Sequence, residues 1–202
     1  MSKAAELAAL IANVNKGSSL ANKNFVINGA MNVAQRGTSS TSEGYKTVDR
    51  FFFQANNEDN LAFTQAQSTD APTGFSNSYK IDCTTVESAL ASDELAYVAY
   101  KPEAQDCMIT LNGTADAKPL TLSFYVKSNK TGNYAVALYK PDNTGRVISK
   151  TYTISSADTW EKKEITFAGD TSGGGLNDDS GEGIDISFTL MAGSDYTSTE
   201  GT

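Results

Sequence analysis

The sequence predicts an all-β protein, an antiparallel β-sandwich of the jelly-roll type preceded by a short N-terminal helix. Three observations point there. Apolar and polar residues alternate at period two in seven or more short runs, Gly/Asn/Pro-rich turn clusters separate the runs, and helical periodicity is concentrated at the N-terminus. A chain of 202 residues with 39% apolar side chains is long enough to bury a core without staples.

The first element differs from the rest. Ser2 can cap a helix running from about Lys3 to Val14, with Glu6 in the first turn, where the helix dipole favours an acid. Leu7, Leu10, Ile11 and Val14 fall at i, i+3, i+4 and i+7 and line one stripe. So short a helix does not persist alone in water, so the stripe is expected to dock on its own domain, on copies of itself or on a larger assembly. Gly17-Ser18-Ser19 marks a joint, which divides the chain into a helix and linker (1–23) and a sandwich (24–202).

After the joint, Phe25-Val26-Ile27 reads as a strand that turns at Asn28-Gly29. Leu61/Phe63/Gln65 and Tyr79/Ile81/Cys83 alternate with polar neighbours, and Leu120/Leu122/Phe124/Val126 is the cleanest run. Tyr134/Val136/Leu138, Ile148/Tyr152/Ile154, Trp160–Phe167 and Ile184/Ile186/Phe188/Leu190 follow, with a helical turn around Ser88–Leu95. Trp160 opens its strand and is expected in the core. Asp49 and Arg50 are expected to pair with Arg36 and pin the first strand.

Composition removes several functions. The chain has no histidine, and so lacks the commonest general base and metal ligand. The net charge of −8 arises beyond residue 163, where eight acids stand without a base, and nucleic acid is a poor partner for such a surface. Cys83 and Cys107 form no metal-binding spacing and read as buried thiols. No apolar run reaches membrane-spanning length, and no secretory leader is evident. No pair of carboxylates stands out as a glycosidase dyad, so the protein is expected not to be an enzyme. The acidic loop makes Asp178, Asp179 and Asp185 weak candidates for a structural calcium, and no other cofactor is expected. Two sequons, Asn112-Gly113-Thr114 and Asn129-Lys130-Thr131, read as turns.

Tyrosines on sheet faces rich in Thr, Ser and Ala suit a glycan, whose apolar C–H face stacks on a ring while hydroxyls make hydrogen bonds. Tyr125 and Tyr139 are expected on the non-core faces of neighbouring strands, and Tyr45, Tyr100 and Tyr196 in or near loops.

The segment Asn24-Phe25-Val26-Ile27-Asn28-Gly29-Ala30-Met31-Asn32-Val33-Ala34-Gln35-Arg36-Gly37-Thr38, with Val48-Asp49-Arg50-Phe51 after it, resembles the opening of bacteriophage structural proteins, especially those of marine phages. Lys118–Ser128, Thr159–Lys163 and Met191–Ser194 extend the resemblance. It implies a tail-fibre or appendage protein with a carbohydrate-binding jelly roll, resident in the virion after assembly in the host cytoplasm. It also implies other virion proteins and a host-surface glycan as partners, and a homotrimer. A capsid decoration or head-fibre role is the alternative. Phe51 stands where the family carries tryptophan. Family members also carry a closing strand beyond the position of Thr202, so the sandwich is expected to lack that strand or to receive it from another chain.

Overall fold

The period-two alternation sorts each strand into an apolar and a polar face, and burying the apolar faces against each other gives two layers. The computed structural model describes residues 3–5, 24–56, 61–143 and 145–196, and it has that architecture. Ten strands are present among the described residues: β1 (Ser39–Ser40), β2 (Phe51–Asn56), β3 (Ala62–Ser68), β4 (Ser78–Thr85), β5 (Leu95–Tyr100), β6 (Leu120–Val126), β7 (Gly132–Lys140), β8 (Arg146–Ile154), β9 (Glu161–Phe167) and β10 (Asp185–Ala192). All their pairings are antiparallel. One layer is a five-stranded sheet in the order β2-β5-β10-β7-β8, and the other is split into β1-β3-β4 and β6-β9.

Each half of the split layer covers its own end of the continuous sheet. Phe63 of β3 meets Phe53 of β2 at 4.1 Å between ring centroids, and Tyr79 of β4 lies 5.9 Å from Phe51. Phe124 of β6 packs edge-on against Tyr152 of β8 and Phe188 of β10, at 5.1 and 5.0 Å. The gap between the halves is bridged by the β3–β4 connection. Its Asp70 pairs with Lys127 and accepts the Trp160 Nε1–H at 3.1 Å, while Phe75 lies 5.6 Å from Tyr125. These two donors hold the Asp70 carboxyl below its ordinary pKa.

The runs of β3, β4 and β6 to β10 fall where the alternation places them, β2 and β5 form where no alternation marks a strand, and several expectations are corrected. Phe25-Val26-Ile27 forms no strand. The Tyr100 hydroxyl accepts from the Ile27 amide and donates to the Phe25 carbonyl, both at 2.8 Å, and Asn24 Oδ1 takes the Val26 amide, so a side chain supplies what a neighbouring strand would. The turn does form, with Asn28 at φ 60° and its amide group bonding Val33 and Asp49. Trp160 is half-buried at a loop junction, with Lys127 5.8 Å from its ring centre, instead of sitting in the core. Leu190 is 45% exposed because a bulge between Thr189 and Met191 turns it outward. Cys107 is buried but Cys83 is exposed, since it lies on the stretch of β4 that runs out into solvent; neither forms a disulfide. No helical turn forms at 88–95, and a short helix appears instead at Ala104–Cys107 (α1). Lys3–Ala5 are helical, while Leu7, Leu10, Ile11 and Val14 lie outside the described residues.

Gly113 shows how closely the loops at one end approach. It sits at φ 79°, and a Cβ there would fall 1.9 Å from the Gly174 carbonyl oxygen. The buried ammonium of Lys140 donates to the Gly173 and Gly174 carbonyls at 3.0 and 2.6 Å, which fixes that triglycine loop.

Two apolar residues that look alike in sequence therefore differ in energy. Phe53→Ala should cost about 3–5 kcal/mol by opening a cavity against Phe63, whereas Leu190→Ala should stay within about 0.5 kcal/mol. Urea unfolding midpoints at unchanged slope would show the difference.

Candidate functional site

Among the described residues, the split layer covers one face of the five-stranded sheet. Its register shows what the open face presents. One cross-strand row reads Phe52, Ala99, Ser187, Ala137 and Ser149, and the next reads Gln54, Tyr97, Thr189, Ala135 and Thr151. Asp185, Tyr139 and Val147 form a third row, and Lys101 directly follows β5 beside them. The middle of the face is thus made of Ser, Ala and Thr, a shallow trough with larger side chains on its rims.

The β2 end of the trough is aromatic. Tyr45 meets Phe52 edge-on at 5.1 Å, and Phe52 lies 6.5 Å from Tyr97, whose hydroxyl donates to Gln54 Oε1 at 3.2 Å. Tyr45 is carried by a loop that is pinned from inside. Gln65 is fully buried, and its amide donates to the Ser42 and Gly44 carbonyls while its oxygen accepts from Thr47 and Tyr79. Those four bonds satisfy most of what a buried amide demands. Burial of the rings raises the pKa of both Tyr45 and Tyr97, with Glu182 and Asp185 adding to the rise and Lys101 opposing it.

Beside this wall stands a charged cluster. The Lys101 ammonium lies 5.1 Å from the Phe52 ring centre, 2.7 Å from Glu182 Oε1 and 3.5 Å from Asp185 Oδ2. Burial disfavours its charge, yet the two carboxylates outweigh burial and raise its pKa. Asp185 is 5% exposed. Burial above all, helped by Glu182 and opposed by Lys101, pushes its carboxyl up to about 6. Its Oδ1 is buried without a hydrogen-bond partner.

Tyr45 and Lys101 also line a cleft of about 450 Å³ with Ile27, Val33, Arg36 and Arg50. Arg36 pairs with Asp49 at 3.2 Å, as expected, while Arg50 turns to Glu103 at 3.6 Å. Trough and cleft are continuous through the two residues they share.

The structure brings some of the tyrosines expected from sequence together and separates others. Tyr45 and Tyr139 belong to this face, Tyr139 being 40% exposed. Tyr125 is also exposed, but it projects from β6 in the split layer, so it is not on a strand next to that of Tyr139. Tyr196 sits exposed in a terminal 3-10 turn. Tyr100 is 1% exposed in the core with its hydroxyl committed to backbone, and it has no face to offer a ligand. Phe52, Tyr97, Lys101 and Glu182 were not among the sequence candidates. Phe52 and Tyr97 lie in runs where both faces carry apolar residues, so alternation does not mark them.

The calcium candidates are dispersed. Asp179 Oδ1 accepts the Gly181 amide, Asp178 is exposed, and Asp185 faces an ammonium. Among the described residues no group of three or more Cys, Asp or Glu side chains is arranged to hold a metal ion, and no helix is long and apolar enough to cross a membrane.

Asp185 makes a prediction about stability. A carboxyl whose folded pKa exceeds its unfolded one binds more protons when folded, so its contribution is fully present below about pH 4 and is lost as pH rises through about 6. Asp185→Asn removes that loss. The variant should be more stable than the parent at pH 8, by up to about 3 kcal/mol, and the difference should vanish near pH 4. Thermal unfolding across that range is the measurement, and a variant less stable at pH 8 contradicts it.

No family profile matches the sequence, and neither does any curated protein. Among solved structures, the chain is similar to the enzymatically active domain of tailspike protein 4 from bacteriophage CBA120. That match has a TM-score of 0.48 at 14% identity and covers 84% of this chain and 20% of the other. The chain thus spans about a fifth of the tailspike chain's length. It is also similar to the family 11 carbohydrate-binding module from Clostridium thermocellum, solved with a β-1,3-1,4-mixed-linked tetrasaccharide. Here the TM-score is 0.41 at 14% identity, covering 77% of this chain and 87% of that one. At this identity and fit, neither protein's activity carries over.

Proposed function

We propose that the chain is a phage virion component, a tail-fibre or appendage protein, that adheres to surface glycans through the open face of its five-stranded sheet and does not cleave them. The observation that carries the binding half is the juxtaposition of an aromatic wall (Tyr45, Phe52, Tyr97) with a Ser/Ala/Thr floor and a charged rim. A pyranose has one face of C–H bonds and an edge of hydroxyls, and this surface offers a partner to each. The virion half rests on the resemblance of the opening segment and on the apolar stripe Leu7/Leu10/Ile11/Val14, which would be unstable if left wet. Display in three copies would convert weak single sites into firm adhesion.

Two measurements test this. On a glycan array, Tyr97→Ala should lower the affinity of the captured glycan about tenfold, the loss of one ring contact, while Tyr125→Ala should leave it unchanged. An array on which the intact chain captures nothing refutes the binding half. Removal of residues 1–16 should abolish incorporation into particles, read by immunoblot of purified virions, and full incorporation refutes the anchoring role.

A further inference from the structure

The carboxylates around the trough and cleft are not equivalent. Asp49 is held by Arg36 and the Gln35 amide, each at 3.2 Å, and Glu103 faces Arg50. Glu182 takes the short bond from Lys101 and has a side chain 45% exposed. Asp185 is nearly inaccessible and incompletely bonded. Its Oδ2 lies at 3.5 Å from Lys101, long for a hydrogen bond, and its Oδ1 has no partner. Among the described residues the other buried side-chain atom so placed is Asn112 Oδ1, a neutral amide oxygen. An orphaned oxygen of an ion costs more than that of an amide. Asp185 assists Glu182 in neutralising Lys101 through its Oδ2, but among the described residues no group uses its Oδ1.

We propose that Asp185 is the residue that captures a hydroxyl of the bound glycan, its Oδ1 accepting a hydrogen bond from a neutral hexose unit that lies across Ser187 and Ala137 against the tyrosines. The inference rests on the glycan-binding reading above and names its ligand class. Lys101 is the movable cover. Its ammonium lies beside Phe52 and the two carboxylates, and a swing toward Glu182 keeps the 2.7 Å bond while giving up only the long contact to Asp185.

The charges facing Asp185 fix the ligand's sign. They are Lys101 at the end of β5 and Glu182 from the segment preceding β10, with the neutral hydroxyls of Tyr97 from β5 and Tyr45 from the loop before β2 nearby. Arg50 and Glu43 complete the surroundings, the one near Tyr45 and the other near Tyr97. With both carboxylates ionised, the Lys101–Glu182–Asp185 group carries one net negative charge, which repels uronates and sulfated sugars and leaves neutral diols favoured. The acceptor exists only while Asp185 is ionised. As pH falls through about 6 the oxygen acquires a proton and capture weakens, which gives the site a pH dependence opposite in direction to that of the fold.

The test uses the full chain on an array of neutral hexose, amino-sugar and hexuronate oligosaccharides, then calorimetry with the best neutral one at pH 7.5 and 5.0. The intact protein should capture neutral chains and reject hexuronates, and its affinity should fall about tenfold between the two pH values, following the ionised fraction of a group titrating near 6. Asp185→Asn should bind about tenfold more weakly at pH 7.5 and show a flat profile. An equal affinity of the intact protein at both pH values overturns the assignment without any variant. If Asp185→Asn binds like the parent while Tyr97→Ala does not, Asp185 is not the anchor and the glycan site stands. If the intact chain captures hexuronate or amino-sugar chains but no neutral one, this assignment fails and the glycan site stands; if it captures no glycan at all, both fail together.

Discussion

The structure depends on one constraint: a five-stranded sheet whose two faces are fixed by period-two alternation, and against only one of which the described residues pack a second layer. The inner face carries Phe51, Phe53, Val98, Val136, Leu138, Tyr152 and Ile154 against the split layer. The same register that buries them forces Phe52, Tyr97, Ser187, Ala137 and Tyr139 outward. A one-residue slip would exchange the two sets, so the core enforces the composition of the open face. The trough is therefore as rigid as the core beneath it, and rigidity of this kind is what keeps a weak ligand site from losing its free energy to ordering.

Two buried polar groups do what apolar packing cannot and hold loops at the edge of that sheet. Gln65 ties the 42–47 loop to β3 and β4, and so aims Tyr45 at Phe52. Tyr100 reaches from the end of β5 to the backbone of Phe25 and Ile27, and so lays the opening segment along the cleft. Each hydrogen bond is directional, and a buried donor or acceptor left unpaired costs about 1–3 kcal/mol, so the loops have one favourable position and not a continuum of them.

The sequence exposed the strands whose alternation is unbroken. Leu120–Val126 needs no tertiary information, because Leu, Leu, Phe and Val face in while Thr, Ser and Tyr face out. Phe51–Asn56 and Leu95–Tyr100 were hidden for the opposite reason: they form the aromatic end of the open face, where both sides carry aromatic or small apolar residues and the period disappears. The site was thus least visible where it is built. Tyr45 and Tyr139 could be named as exposed rings, but their membership of one face follows from strand order, which alternation does not encode. Tyr100 failed because a tyrosine at a strand end reads the same whether its hydroxyl meets water or backbone. Trp160 failed because Asp70, its partner, lies 90 residues away.

The aromatic residues on the other layer are also exposed in part, and the bonds they make distinguish their role. Tyr125 rests on Phe75, the Trp160 N–H is consumed by Asp70, and Lys127 closes over the indole while pairing with the same carboxylate. The Asp70 carboxylate, the Lys127 ammonium and the Trp160 N–H are directed at one another, and the group spans the gap between the two halves of the split layer. It is a fastener. In the trough the bonding is incomplete: Asp185 keeps a buried oxygen with no donor, and the Ser187 and Thr189 rows face outward over alanine. Exposed rings alone would rank the two surfaces together. What separates them is whether the neighbouring polar groups have already found their partners, and it is by that criterion that we place the proposed glycan site on the open face of the five-stranded sheet.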